Sequence, residues 1–438
     1  MRARSFILVA LLIAACGAAL AAEPVPPPEF TDTQHQVPGE QYPQPSAAAI
    51  QYLDVAVLFV ALCLATFLAL RLRSRNAVFA LMVACLVYFG FWRKGCVCPI
   101  GAIQNVTLAL ADPHYAIPLA VLAFFALPLV FTLFFGRSFC AAVCPLGAIQ
   151  DAVVIRPVGV PRWLEGGLRV LAYAYLGGAV IFAATAPVFL ICRYDPFVGF
   201  FRLSGSLGML LFGGGLLVVG LVIGRPYCRF LCPYGVLLGW LSRLSGRRVT
   251  ITPDQCVRCR LCEDACPFGA IRKPVEPPTP AERAAGRRRL AWLLGLLPLL
   301  VVVGFVAGGA LGTPFAKLHP EVVQAERVRA EELGEVVGTT DASDAFYESG
   351  QPVDERYAEA RRLRSRFALG GRLFGAWMGL VVGGMLIHLT LRRRRDDYEA
   401  DRGACIACGR CYDYCPVELT RRKKQAEVSS AKNPSAKQ

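Results

Sequence analysis

Two strings in this chain place four cysteines at metal-ligand spacing ahead of a proline. CVRCRLCEDACP carries Cys256, Cys259, Cys262 and Cys266 before Pro267, and CIACGRCYDYCP carries Cys405, Cys408, Cys411 and Cys415 before Pro416. Three thiolates spaced three residues apart wrap one face of a cubane iron-sulfur cluster, and the fourth, just ahead of the proline, ligates the other cluster in two-cluster ferredoxins. The expected ligand sets therefore cross: Cys256, Cys259 and Cys262 with Cys415, and Cys405, Cys408 and Cys411 with Cys266. Two 4Fe-4S clusters follow from this. Zinc also binds through paired cysteines, but two copies of the full spacing, each closed by proline, favour iron and sulfide.

A second pattern is an internal repeat, GRSFCAAVCPLG from Gly136 and GRPYCRFLCPYG from Gly224, with GCVCPIGAIQ from Gly95 echoing CPLGAIQ from Cys144. Such repetition points to duplication of a helix-plus-cysteine unit. The spacing of four predicts that Cys140 and Cys144, and likewise Cys228 and Cys232, share one helical face. These four thiols admit a third cluster, a redox-active thiol site or a soft copper(I) ligand set; the plain alternative is reduced cysteine packing as a small hydrophobe. Cys96, Cys98 and Cys192 form a smaller group open to a disulfide or a metal contact. Cys63 and Cys85, inside apolar runs, read as packing residues.

Asp54 and Asp195 could take a proton from a quinol, since ionisable groups near a bilayer are functional by default; a solvated interfacial charge is the alternative. His35, His114 and His319 read as surface residues, and His388 alone lies inside an apolar run, so a bis-histidine haem is not expected. No flavin motif, no G-x-G-x-x-G after a strand, no Walker A string and no zincin pair is present. The chemistry on offer is electron transfer by a component rather than catalysis by a stand-alone enzyme.

The elements that must position these thiols are membrane helices. Of 438 residues, 55% are hydrophobic and only 18% charged, with a mean hydropathy of +0.47, which excludes an ordinary soluble enzyme. A span needs about 20 apolar residues, and seven stretches qualify: Ile50 to Leu70, Ala77 to Trp92, Ala116 to Phe135, Leu168 to Ile191, Leu207 to Ile223, Leu290 to Leu311 and Phe374 to Leu391. The fold class expected is an all-α polytopic bundle with a ferredoxin-like module assembled from two separated segments.

Residues 1–22, with Arg2 and Arg4 before an apolar run and small residues at Ala19 and Ala21, read as a signal peptide, and LIAAC ending at Cys16 also resembles a lipidation site. Residues 23–49 read as an exported proline-rich tail. Then follow a five-helix region with the C-x3-C-P repeats (50–242), a first ferredoxin segment and linker (243–289), a helix (290–311), an exported loop (312–371) with helices near Pro320 to Leu333 and Val353 to Arg366, a helix (372–391), and a second ferredoxin segment with a basic tail (392–438). Seven crossings from an exported start put both ferredoxin motifs in the cytoplasm. The net charge of +15 follows the positive-inside pattern rather than a nucleic-acid surface: Arg71 to Arg75, Arg137, Arg225, Arg247 to Arg248, Arg287 to Arg289 and Arg392 to Arg395 fall inside. Arg93 and Lys94 are the exception, and a re-entrant Pro99 to Leu110 would revise the count. Eighteen cysteines, eight of them in two tight clusters, suit a reducing compartment rather than a disulfide scaffold.

These residues resemble the membrane polyferredoxins of the NosR/NapH/CcoG type. The two C-x3-C-P strings are similar to that group's membrane-end motifs, and the two ferredoxin strings to its iron-sulfur part, over roughly Trp92 to Pro416. The resemblance implies a protein of the bacterial inner membrane that passes electrons between the quinone pool or cytoplasmic donors and an exported redox partner, a flavoprotein or cytochrome, in nitrous-oxide or nitrate respiration. It is closest to a NosR-like core lacking the flavin domain, for which residues 23–46 are too few; a CcoG-like exported β-domain is not expected either. Two other functions fit the thiols: a copper-reducing cofactor-assembly factor for a respiratory enzyme, and a redox sensor.

Overall fold

The computed structural model describes residues 47–95, 98–185, 189–251, 256–317, 319–391 and 395–432, the side chains at 162, 313 and 425–432 excepted. The expected signal peptide, lipidation at Cys16, residues 23–46 of the tail, His35, Cys96 and Arg392 to Arg394 lie outside the described residues.

The chain is helical almost throughout. Helices α1 (Ala48–Phe67) and α2 (Arg75–Cys85) each run on through a π-helical stretch, Leu68–Leu72 and Leu86–Trp92. Then come α3 (Pro99–Ala111), α4 (Leu119–Phe135), α5 (Ser138–Ala142), α6 (Pro145–Ala152), α7 (Arg162–Thr185), α8 (Leu190–Arg193), α9 (Val198–Arg202), α10 (Leu207–Gly220), α11 (Pro226–Phe230) and α12 (Pro233–Leu244). All seven expected apolar stretches are helical over most of their length. Among the described residues, five helices are long and apolar enough to span a membrane: α1 and α2 with their π-helical ends, α7, and the two long helices introduced below. Helices α3, α4 and α10 are apolar but shorter. Local sequence explains the shortening: α4 starts after Pro118 and stops at Gly136, whose φ of 75° suits glycine, and α10 starts at a Ser206 cap.

The buried core gathers around the short helices, not the long ones. Phe139, Leu146, Tyr227 and Tyr234 from α5, α6, α11 and α12 are fully buried against Leu58, Leu62, Met82 and Ile100 of α1 to α3. Large apolar side chains such as Phe59, Val60, Phe67 and Val87 remain exposed on the outer faces of α1 and α2. Such faces suit lipid, where a fully hydrogen-bonded helix has nothing to lose.

The ferredoxin segments follow: α13 (Leu261–Asp264), β1 (Ile271–Arg272), β2 (Glu399–Ala400), α18 (Arg410–Tyr414) and α19 (Pro416–Lys432). Between β1 and β2 the chain makes an excursion through α14 (Pro280–Ala316), α15 (Pro320–Glu332), α16 (Asp341–Glu348) and α17 (Val353–Thr390). The strands close it, pairing antiparallel as Ile271 with Ala400 and Arg272 with Glu399. Asp401 locks the turn beyond β2 by accepting Gly403 and Ala404 N–H at 3.0 Å and pairing with Arg272 at 2.9 Å. Trp377 of α17 seats the long helices on the bundle, donating to the Tyr173 carbonyl at 2.9 Å and stacking near Trp240.

Helices α14 and α17 meet along a stripe of small residues. A methyl group at Gly304, Gly308, Gly371, Gly375 or Gly379 would overlap backbone of the facing helix, whereas one at Gly384 would meet nothing within 4 Å. This small-xxx-small spacing lets backbones approach where lipid supplies no hydrophobic drive. Overlap with backbone cannot be relieved by a rotamer change, so Gly375→Leu should cost about 3 kcal/mol. Thermal unfolding in detergent should show a clear fall in melting temperature for Gly375→Leu and none for Gly384→Leu; equal melting of the two would remove the seam from the account.

Candidate functional site

The two cysteine strings fold the same way. Residues on either side of the central cysteine, Arg258 and Arg260 in the first and Ala407 and Gly409 in the second, have positive φ of 51°, 67°, 60° and 78°. Left-handed conformations cost free energy for residues with a side chain, and here they curl each loop so that its thiols converge and its N–H groups turn inward. Cys405 and Cys408 sulfurs accept from the Ala407 and Arg410 backbone N–H groups, and hydrogen bonds to the sulfurs are among the contacts that set the potential of a thiolate-bound cluster.

Across the strings, Cys262 has Cys256, Cys259 and Cys415 within Coulombic reach, and Cys411 has Cys408, Cys405 and Cys266, with Cys262 next. Cys266, Cys405, Cys408 and Cys411 line one apolar cavity with Phe268 and Ile406. Burial pushes the Cys262 thiol up to about 11 and the Cys405 thiol up to about 12. At neutral pH these sulfurs are thiolates only where a cation replaces the proton.

Cys140, Cys144, Cys228 and Cys232 also converge, with Cys144 in Coulombic reach of the other three, but they do not share helical faces as the spacing suggested. The helix breaks within each C-x3-C: α5 ends at Ala142 and Cys144 stands at the N-terminal boundary of α6, while α11 ends at Phe230 and Cys232 holds that position for α12. The reason is the proline after each second cysteine, which forces its predecessor into extended geometry, ψ 115° at Cys144 and 112° at Cys232. Each second cysteine thus sits at a helix start, where N–H groups face its sulfur; Gly235 N–H lies 3.3 Å from Cys232 Sγ.

Around the four thiols stand groups that the sequence reading missed. Gln150, fully buried, accepts Tyr227 N–H at 2.9 Å and donates to Cys228 Sγ at 3.3 Å. Arg137 donates to Cys140 Sγ at 3.7 Å and to the Gly403 carbonyl at 3.0 Å, and Arg225 donates to the Cys140 carbonyl. Gly147 is glycine because Arg225 Nη1 would lie 2.8 Å from any Cβ there. Arg225 is in Coulombic reach of Cys228 and Cys408 together. A cavity of about 80 Å³ lies at this junction, lined by Cys140, Cys228, Cys232, Arg137, Arg225 and Phe268 among others.

Buried ion pairs dock the ferredoxin module onto the bundle. Asp151, at the end of α6, meets Arg75 at 2.8 Å, Arg410 at 3.3 Å and Arg225 at 3.5 Å. Glu418, 1% exposed, meets Arg73 and Arg421 at 3.0 Å. Arg73 and Arg75, expected only as topology markers, are the bundle's side of this interface. Asp54, offered as a quinol base, is buried in a pair with Arg93 at 2.7 Å and accepts Tyr88 OH at 2.9 Å, which accounts for the arginine that broke the charge pattern.

Cys98 lies within Coulombic reach of Cys192 and of Asp195, and neither cysteine is disulfide-bonded. Asp195 is buried, its Oδ1 accepting Phe197 N–H at 2.9 Å and Val198 N–H at 3.2 Å. Among the described residues, no three His, Cys, Asp or Glu side chains converge tightly enough for a single metal ion; a cubane holds its ligands farther apart.

Comparison with known proteins agrees with this geometry. One 4Fe-4S binding domain family matches residues 117–159 and 206–252, which hold the C-x3-C-P thiols, and another matches residues 249–272 and 398–419, which hold the ferredoxin strings. The chain is thus a helical membrane polyferredoxin of the 4Fe-4S class. It is similar to the putative electron transport protein YccM of Escherichia coli, 32% identical over 118 residues, covering 25% of this chain and 33% of that protein. It is also similar to protein NirI of Paracoccus denitrificans, 34% identical over 122 residues, covering 27% of this chain and 18% of that protein. The matches span a third or less of these relatives' length. No solved structure matches.

Proposed function

We propose that this chain is a membrane electron-transfer protein in which three groups of thiols hold three clusters in series. Cys256, Cys259, Cys262 and Cys415 hold the first, Cys405, Cys408, Cys411 and Cys266 the second, and Cys140, Cys144, Cys228 and Cys232 the third. The observation that carries this reading is the junction itself, where Arg137 donates to the Cys140 thiol, Arg225 donates to the Cys140 carbonyl, and both lie beside the ferredoxin cysteines. Cationic, largely buried surroundings stabilise thiolate-bound clusters and shield them from water. The names of the relatives, an electron transport protein and NirI, are in keeping with a respiratory role.

In this reading the protein sits in a bacterial inner membrane with the ferredoxin module cytoplasmic, as the arginine distribution favours. Electrons pass between the quinone pool or a cytoplasmic donor and an exported redox protein, as in NosR- or NapH-like systems, with 312–371 as the docking loop. The test is iron and acid-labile sulfide analysis with EPR after dithionite reduction, on protein purified without oxygen. A Cys140/Cys144/Cys228/Cys232 quadruple serine variant should hold about four irons fewer than the unaltered protein. Equal iron in both would leave the repeat thiols to copper or thiol chemistry, and no iron above background would end the cluster reading.

A further inference from the structure

The third fragment of the repeat is not spent by that function. Cys98-Pro99-Ile100-Gly101-Ala102-Ile103-Gln104 parallels Cys144-Pro145-Leu146-Gly147-Ala148-Ile149-Gln150, and Cys192-Arg193-Tyr194-Asp195-Pro196 parallels Cys228-Arg229-Phe230-Leu231-Cys232-Pro233 one residue shorter, with aspartate in place of the second cysteine. The structure repeats the contacts as well. Gln150 accepts the N–H of Tyr227, the residue before Cys228, at 2.9 Å; Gln104, also fully buried, accepts the N–H of Ile191, the residue before Cys192, at 2.7 Å. Cys98 stands before the prolyl start of α3 as Cys144 does before α6, and its sulfur faces the Ile100 and Gly101 N–H groups. At Gly101 a Cβ would lie 3.2 Å from Cys192 Sγ. Asp195 holds the place of Cys232 ahead of its proline and likewise faces the N–H groups beyond it; its two bonds fall on Oδ1.

We propose that Cys98, Cys192 and Asp195 hold a further iron-sulfur cluster, equivalent by duplication to the one at the C-x3-C-P thiols. The proposal rests on the reading of those thiols as a cluster site. A carboxylate is a competent iron ligand, and both thiols are positioned by the same devices as the inner set. Cys96, two residues ahead of Cys98 in sequence, lies outside the described residues and is not used.

The place of this site gives it a role. Helix α2 starts at Arg75, beside the ferredoxin module, and its π-helical end closes at Trp92; Cys98 follows that far end, and Cys192 is exposed. Buried Tyr175 and Tyr227 lie within Coulombic reach of Cys232 on one side and of Cys98 and Asp195 on the other. A cluster held by Cys98, Cys192 and Asp195 would take up one electron from one held by the inner thiols, with no bond made or broken, and would pass it to a one-electron-accepting redox protein at that face.

The experiment compares iron, labile sulfide and reduced EPR spectra of the full chain, the quadruple serine variant above, a Cys98→Ser/Cys192→Ser variant and Asp195→Ala and Asp195→Cys variants. The outer double variant should lose about four irons while the signals of the ferredoxin clusters persist, which also shows that it folds. Asp195→Ala should lose or shift the same signal, and Asp195→Cys should keep the iron with altered g-values. Iron lost from the quadruple variant but not from the outer double variant overturns this proposal and leaves the inner cluster standing. Iron lost from neither overturns both, and zinc or copper without sulfide at the outer thiols overturns the proposal alone.

Discussion

A Cys415→Ser variant should lose about four irons, and adding Cys259→Ser to it should remove no more, whereas adding Cys408→Ser should remove about four further. That asymmetry separates crossed from uncrossed ligation, because in an uncrossed pair Cys415 and Cys259 would serve different clusters. The crossed outcome is expected from the neighbours of each sulfur: Cys256, Cys259 and Cys415 stand around Cys262, while Cys408, Cys405 and Cys266 stand nearest Cys411. In EPR, loss of either cluster should turn the interacting spectrum of the reduced pair into that of a single cluster. Iron content that falls by eight with Cys415→Ser/Cys259→Ser, against a folded control, would reverse the assignment.

How the two strings find each other was legible in the sequence, because cluster ligation needs a complete thiol set and the spacing of each string is local chemistry. Helix positions were legible too, since a run of apolar residues carries its own signal. What sequence reading misjudged at Cys140 and Cys144 was the weight of one residue: the helical spacing of four assumes a continuous helix, and Pro145 interrupts it. Arg73, Arg75 and Arg225 were read as topology flags because charge counting averages over residues that individually have partners. Asp151 and Glu418, which answer those arginines from remote parts of the chain, leave no local pattern that names their distant partners. The glycine seam of α14 and α17 was written in the spacing of Gly304, Gly308 and Gly312 and of Gly371, Gly375 and Gly379, but hydropathy alone does not register it.

The dependence of the whole junction on Asp151 makes it the most informative single position outside the cysteines. Burial alone would push its carboxyl up, yet Arg225, Arg410 and Arg75 together hold it well below the usual carboxylate range. Its three partners belong to α2, to the entry of α11 and to the ferredoxin string, so one charge ties three parts of the fold. Asp151→Asn removes that charge and leaves three largely buried guanidinium groups facing one another, a situation that costs about 3 to 5 kcal/mol. The melting temperature in detergent should fall accordingly at neutral pH. Because the folded pKa is depressed, the stabilisation is complete above the unfolded value of about 3.9 and declines as pH drops toward the folded value. The gap between the unaltered protein and Asp151→Asn should therefore be constant above about pH 5 and narrow below about pH 4. A gap that instead widened in acid, or a variant as stable as the parent at neutral pH, would mean that the arginines hold the module by other contacts. Cluster content should fall with stability, since Arg225 holds the Cys140 carbonyl and Arg410 adjoins Cys411, and loss of iron from the C-x3-C-P site ahead of the ferredoxin sites would place the first damage at Arg225.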